Sequence, residues 1–442
     1  MTAGGAEAAG GGEPAGGAEP AGGGEPAEGG VTGDRDDEAA IRAEVRNWLS
    51  AHWQPDLSLR GWRELLASSG WGCPTWPAAW CGRGLSGRLG RVVAEELRLA
   101  VVPGPPEGLG MMLAAPVLLE YGSEDLKQRF IRPTVTGEIT WCQLFSEPGA
   151  GSDLAGLRTR ARRDGGEWLV SGQKVWSTGA ATADYGLLLA RTDVDVPKHR
   201  GITAFVLPMR QPGVQVRPLR QMNGHSSFNE VFLDDARVPA ASVIGEPGGG
   251  WTVARAILAH ERRLAAFPPL PQAEGQAWRE AAEERTAVTE PHKWYPQRAG
   301  RPDLVIPRAR ETGRGTDPAV RQEIARLIGL AWPARWMAER VAAARAAGQP
   351  PGPEGSLGKL ASSAIARQAA RVHSLITGAD GLLAGPDSAA GGIIAEIAVS
   401  VPGISIAGGT DEIQRTIIAE RILGLPREPD ISKDMPFRDV PG

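Results

Sequence analysis

The spacing of apolar residues changes twice along this chain, and that change limits its possible folds more than any other feature. From Asp36 to Glu138 the spacing is helical. In "DEAAIRAEVRNWLSAHW", Ile41, Val45, Trp48 and Leu49 form one stripe behind an acidic first turn. "LRGWRELLASSG", "GRVVAEELRLA", "MMLAAPVLLEYG" and "SEDLKQRFIRPTVTG" continue it, the last with a serine cap, and "WGCPTWPAAWCGRGLS" reads as a turn-rich connection. The period then shortens. "EWLVSGQKVWSTGA", "DYGLLLART", "GITAFVLPM", "GVQVRPL" and "NEVFLDDARVP" are short alternating or apolar runs separated by Gly, Asp and Pro, which predicts a compact antiparallel sheet. From "GGGWTVARAILAHERRLAAF" onward the helical period returns, with an Asp cap and first-turn Pro opening "DPAVRQEIARLIGLAW".

The expected architecture is mostly α with a central β domain: helices over 36–138, a β domain over 139–247 and a helical block over 248–442. Residues 1–35 repeat G-G-x-E-P-A units with almost nothing apolar to bury, so a disordered tail is expected there. Residues 268–308 are rich in Pro and Arg and carry no assignable period.

Composition removes several function classes. A net charge of −4 and a pI near 6.0 give no basic surface for a nucleic-acid partner. Cys73, Cys81 and Cys142 are too few and too scattered for a disulfide framework or a metal site. No apolar run is long enough for membrane insertion, and the N-terminus lacks a basic-then-apolar leader, so a cytoplasmic protein is expected.

Three segments carry the chemistry. "WCQLFSEPGAGSDLAG" (141–156) offers the Gln143 amide, the Ser146 and Ser152 hydroxyls and a Gly149/Gly151 turn able to aim backbone N–H groups at a phosphate or polar ring edge. Read alone, it could equally be an interdomain turn. "GQKVWSTG" (172–179) is expected to put Trp176 and Thr178 on one side of a strand, an indole beside a hydroxyl for a flat heteroaromatic ligand. "ISIAGGTDEIQR" (404–415) sets paired glycines ahead of a helix.

Together, "FSEPGAGSD", "GQKVWSTG" and "GGTDEIQR" resemble the acyl-CoA dehydrogenase family, flavoproteins that desaturate acyl-CoA thioesters between Cα and Cβ. The likeness runs from about residue 38 to 428. It implies an N-terminal helical domain, a β-barrel-like middle domain and a C-terminal four-helix bundle, with FAD as cofactor. By the same resemblance Gln143, Ser146 and Ser152 line the flavin, Ser152 also touching substrate. Trp176, Ser177 and Thr178 flank the ring, with Thr178 at its N5 edge. Arg310 reaches the FAD of a neighbouring subunit, and Gly378, Gly381, Thr410 and Glu412 contact cofactor from the C-terminal helices. Leu375 replaces a flavin-contacting glutamine of many relatives.

Many members of the family read Tyr-Glu-Gly-Thr where this chain reads Ala407-Gly408-Gly409-Thr410, and that glutamate removes the α-proton. Gly408 cannot. Another carboxylate lies on an apolar stripe: Trp251, Ala254, Ile257/Leu258 and Glu261 fall three or four residues apart. Read from spacing alone, Glu261 could instead belong to a surface ladder with Arg255, Arg262 and Arg263. The family subset that includes isovaleryl- and long-chain acyl-CoA dehydrogenases draws its base from the position matched by Glu261, which makes Glu261 the expected base. Arg262, Gly408 and Gly409 are then expected at the substrate, the glycines allowing close approach of the acyl chain. His260 should point away from Glu261, and Cys142 should fill core.

The function so implied is dehydrogenation of an acyl-CoA to its 2-enoyl-CoA, with electrons passed to an electron-transferring flavoprotein. The assembly expected is a homodimer, homotetramer or heterotetramer. Two other readings stand beside it: an oxidase or monooxygenase on the same fold, and a non-catalytic subunit of a heteromeric dehydrogenase.

Overall fold

The computed structural model describes residues 30–261, 270–346, 349, 352–429 and 432–440. Most of the expected tail, 1–29, and Arg262 and Arg263 lie outside the described residues. The first helix, α1 (Gly30–His52), starts ahead of Asp36.

Four more helices follow: α2 (Leu59–Ser69), α3 (Gly87–Leu99), α4 (Ala115–Tyr121) and α5 (Glu124–Thr136). Serine caps start three of them. Ser58, Ser86 and Ser123 accept from the N–H groups of Gly61, Leu89 and Leu126 at 3.1, 3.3 and 3.3 Å. Left-handed glycines, Gly70 and Gly137, end α2 and α5. The predicted stripe turns inward: Val45 and Leu49 pack with Trp62, Leu66, Val93 and Leu97.

The sheet comprises β1 (Trp141–Leu144), β2 (Arg160–Asp164), β3 (Glu167–Lys174), β4 (Tyr185–Arg191), β5 (Ile202–Pro208), β6 (Val214–Leu219), β7 (Phe228–Pro239) and β8 (Val243–Ile244). Its order is β6-β7-β3-β2-β4-β5-β8, with β1 against β4. The expectation of an antiparallel sheet needs correction, because β1 runs parallel to β4 from Trp141/Tyr185 to Leu144/Leu188. The chain reaches β4 from β1 through β2 and β3, so no hairpin constrains β1 to the antiparallel sense.

Alternation along β4 and β5 divides two cores. Leu187, Leu189, Ile202 and Val206 face the N-terminal helices, while Leu188, Ala190, Phe205 and Leu207 face the opposite layer with Cys142, Leu144 and Val231. Helix α6 (Gly250–Glu261) packs into the first core through Val253, Ala254 and Ile257. That packing fixes where its last residue, Glu261, emerges.

From Gln276 onward the segment without a readable period is mostly helical. It holds α7 (Gln276–Thr289), α8 (Tyr295–Arg298) and the start of α9 (Pro302–Glu311). α7 is clipped to α2 by Glu280 accepting from the Leu59 N–H at 2.7 Å and by Arg63–Glu284 at 2.6 Å. Beyond lie α10 (Pro318–Ala346), α11 (Gly355–Thr377), α12 (Ile393–Ser400) and α13 (Asp411–Arg421). Val305, Val320, Leu327, Val372 and Ile376 form one core of this block.

Candidate active site

The two flavin-type segments meet where β1 and β3 end. Lys174 closes β3, so Trp176 and Thr178 lie in the turn beyond it, not on one side of a strand as expected. The alternation breaks because Trp176 has φ +63°, a left-handed conformation costly for an indole-bearing residue. The residue is 56% exposed, and its ring touches Phe228 edge-on at 5.5 Å. The next residue is the opposite: Ser177 is buried, and its backbone exchanges bonds with Asn229 at 3.1 and 3.2 Å. Asn229 Nδ2 adds a bond to the Ser177 carbonyl at 2.9 Å. Among the described residues the Ser177 hydroxyl has no partner. Thr178 is half-buried.

From the other segment, Ser146 is half-buried and Ser152 exposed. Nothing lies within 4 Å of a Cβ built on Gly149, Gly151 or Gly179. An exposed indole plane, an orphaned buried hydroxyl and three glycines facing open space fit a large planar cofactor with a phosphate tail.

Glu261 stands at the edge of this region. Gln143 Nε2, on β1, donates to Glu261 Oε2 at 3.4 Å. The carboxylate is half-buried, one turn beyond Ile257 on the apolar face. His260 leaves the same helix on another bearing and meets Glu120 at 3.0 Å. Cys142 is fully buried and burial pushes its thiol up to about 12, as a core filler should behave.

Arg310, Gly378, Gly381, Thr410 and Glu412 are on the C-terminal helices, and none hydrogen-bonds to the residues just described. Arg310 is exposed on α9, and Gly378 takes φ +65° in the turn after α11. Thr410 caps α13, its hydroxyl accepting from the Ile413 N–H at 3.2 Å. Glu412 pairs with Arg415 at 3.2 Å. Gly408 is exposed with open space beyond its Cα, but Gly409 has a local reason to be glycine: a Cβ there would sit 2.6 Å from Gln414 Nε2.

Sequence reasoning missed an aromatic cluster that nears Glu261 through Tyr295. Trp294 is buried, its Nε1 donating to Ser227 Oγ at 2.8 Å, and its ring stacks on His225 at 6.1 Å. Phe228 bridges Trp294, at 6.4 Å, to Trp176, at 5.5 Å. The Trp294 ring also meets Tyr295 at 5.1 Å, over which the Arg298 guanidinium sits at 3.8 Å. Burial raises the Tyr295 hydroxyl pKa; Arg298 lowers it, and the charge of Glu261 raises it. The available signal was a Trp-Tyr pair between two prolines, Pro291 and Pro296, in a segment otherwise without periodicity.

Comparison with known proteins agrees along the chain. Family models for the acyl-CoA dehydrogenase N-terminal, middle and C-terminal domains match residues 35–138, 142–236 and 303–423. Acyl-CoA dehydrogenase IpdE1 of Mycobacterium tuberculosis is 34% identical over 89% of this chain and 99% of its own length. The chain belongs to the acyl-CoA dehydrogenase family. Acyl-CoA dehydrogenase FadE34 of the same organism is 40% identical over 82% of this chain, which spans 46% of FadE34. Among solved structures, the Tcur3481-Tcur3483 steroid ACAD superposes with TM-score 0.60 at 27% identity, covering 89% of this chain and 98% of that one. The ChsE4-ChsE5 complex from Mycobacterium tuberculosis gives 0.59 at 26%, covering 89% and 98%. Members of this family are FAD-dependent oxidoreductases of lipid metabolism, and FAD is the cofactor the cradle around Trp176 fits. Among the described residues no helix is long and apolar enough to cross a membrane.

Proposed function

We propose that this chain desaturates an acyl-CoA thioester to the 2-enoyl-CoA, with Glu261 as the base that takes the α-proton. The observation that carries the reading is the Gln143–Glu261 contact at 3.4 Å, which puts the carboxylate beside the strand leading into the flavin-type loop. A carboxylate there is half-desolvated, and it lies close enough to Tyr295 for its charge to be felt at that hydroxyl. Gln143 orients it. When bound, FAD supplies the acceptor for the hydride leaving Cβ, so that loss of one proton and one hydride forms the Cα=Cβ bond.

Ser146, Ser152, Trp176, Ser177 and Thr178 are proposed to hold that FAD from this subunit. Arg310 is proposed to reach the FAD of a neighbour, and Gly378, Gly381, Thr410 and Glu412 are proposed to touch cofactor from the C-terminal helices. That arrangement requires an oligomer. One structural relative, ChsE4-ChsE5, is a complex of two proteins, which supports a heteromer as well as a homo-oligomer. Open space at Gly408, and a relative named a steroid ACAD, support a bulky or branched acyl group. Arg262, outside the described residues, is proposed near the thioester. An electron-transferring flavoprotein in the cytoplasm is the proposed electron acceptor.

The test is anaerobic bleaching of bound flavin by straight, branched and polycyclic acyl-CoAs, with Glu261→Gln alongside. Glutamine keeps an acceptor for Gln143, so the variant should stay yellow yet bleach at least ~100-fold more slowly, the low end of general-base effects. Bleaching within a few-fold of wild type removes Glu261 from the reaction. Rapid reoxidation of the bleached enzyme by air favours the oxidase reading instead.

A further inference from the structure

We propose that Lys174, through a buried pair with Glu147, is the positioning residue that sets the 145–159 loop and the Trp176–Gly179 turn in one geometry for FAD. The inference rests on the flavin reading of those two segments. Lys174 ends β3, and its side chain is 0% exposed. Its ammonium donates to Glu147 Oε1 at 2.8 Å and to the Phe145 carbonyl at 3.1 Å. One residue on, the Val175 N–H donates to the Ser146 carbonyl at 2.9 Å. Three consecutive residues of one segment are thus tied to two consecutive residues of the other, immediately before Trp176.

Glu147 holds the loop from inside. Its carboxylate accepts from the backbone N–H groups of Arg158 at 2.6 Å and Thr159 at 2.9 Å, closing the loop at its far end. Its own backbone exchanges bonds with Ala150 at 3.0 and 3.1 Å, making a tight turn at Pro148–Gly149. A second buried cation, Arg191 on β4, donates to the Ala155 carbonyl at 2.6 Å and the Leu157 carbonyl at 3.1 Å. Every anchor is underneath. On the outer side are Gly149, Gly151 and Ser152, open to a ligand.

The chemistry explains why charge is used here. Burial drives the Lys174 pKa down to about 8 even though Glu147 holds it up; Arg191 lowers it further. Burial alone would raise the Glu147 carboxyl, but Lys174, Thr159 and Arg158 bring it below its ordinary value. An apolar pair of the same volume is often as stable as a buried ion pair. It could not direct the Phe145 carbonyl and the Arg158 and Thr159 N–H groups. What the pair contributes is therefore the conformation of a loop with three glycines, which would otherwise have many.

The test uses the full chain carrying Lys174→Met, with Glu147→Gln as a second variant. FAD-free protein is titrated with FAD, and amide exchange is followed with and without it. In whichever variant folds, FAD affinity should fall at least ~10-fold, about 1.4 kcal/mol, and exchange over 145–159 should quicken while the N-terminal helices stay protected. A folded Lys174→Met with wild-type FAD affinity overturns the proposal. So does failure of both variants to fold, since the pair is then a general core element. In the wild type, FAD must slow exchange over 145–159 and 176–179. Absence of that protection sinks the flavin reading as well, whereas protection with unchanged Lys174→Met affinity sinks this proposal alone.

Discussion

The paired glycines ahead of α13 provide a perturbation whose size can be worked out before it is measured. Gly408 and Gly409 both have positive φ, +68° and +83°. Alanine at either forces a left-handed residue, about 1–2 kcal/mol. Their neighbours differ. A Cβ at 408 meets nothing within 4 Å, while one at 409 would lie 2.6 Å from Gln414 Nε2. That amide donates to the Gly408 and Gly409 carbonyls at 3.1 and 3.3 Å. Displacing it forfeits two hydrogen bonds, roughly 1 kcal/mol each. Gly408→Ala should therefore cost about 1–2 kcal/mol and Gly409→Ala about 3–4. Shortening the neighbour isolates the difference: in a Gln414→Ala background, Gly409→Ala should cost only the left-handed part, a coupling of about 2 kcal/mol. Urea unfolding followed by far-ultraviolet circular dichroism measures all four corners. Equal costs at the two glycines, or a strictly additive cycle, would refute the view that Gln414 rather than a ligand dictates glycine at 409.

Three further outcomes are expected. Adding Gly408→Glu to Glu261→Gln should recover at least ~10-fold of the lost bleaching rate if both positions face one α-carbon; no recovery in a protein that still binds FAD counts against that shared geometry. At the start of α13, burial pushes the Asp411 carboxyl up, but the hydrogen bond from Arg367 and the charges of Arg367 and Lys359 bring it below its ordinary value. Its stabilisation is complete above the unfolded carboxyl range near ~4 and is lost as pH falls through the lower folded value. Asp411→Asn should thus cost about 1.5–3 kcal/mol at neutral pH and progressively less on acidification, which unfolding curves from neutral to acid pH will show. Burial raises the Cys73 and Cys142 thiols to about 12, so iodoacetamide at mildly alkaline pH should leave both unlabelled in the native protein and label them in urea. Native labelling of Cys142 at a free-thiol rate contradicts the core-filling role.

The parts of the fold legible in the sequence were those in which burial leaves a period. α1 and α6 carry stripes, and β4 and β5 run apolar through a sheet covered on both faces. β2, "RARRD", showed nothing because only Ala161 turns inward; its place depends on backbone pairing with β3. β1 was hidden by shortness, and its parallel sense is a long-range property that local spacing does not encode. Glu261 was legible as a carboxylate on an apolar stripe, yet its contact with Gln143 joins residues 118 apart and needed the fold. Trp294 and Tyr295 were unreadable for a related reason: flanking prolines erase periodicity, so side chains meeting Phe228 and Arg298 look like linker.

At Trp176 the departure from alternation is itself informative. Alternation would have placed it on a strand; instead the backbone bears a left-handed φ and the indole bears exposure, two costs with only Phe228 as a ring partner among the described residues. The residues on either side show what maintains that conformation: Val175 bonded to Ser146, and Ser177 buried against Asn229. A turn so firmly held at both ends, with its largest apolar surface facing outward, is shaped for something the chain does not itself supply. A flat cofactor ring covering the indole removes the exposure cost and leaves the strain as the means of aiming it.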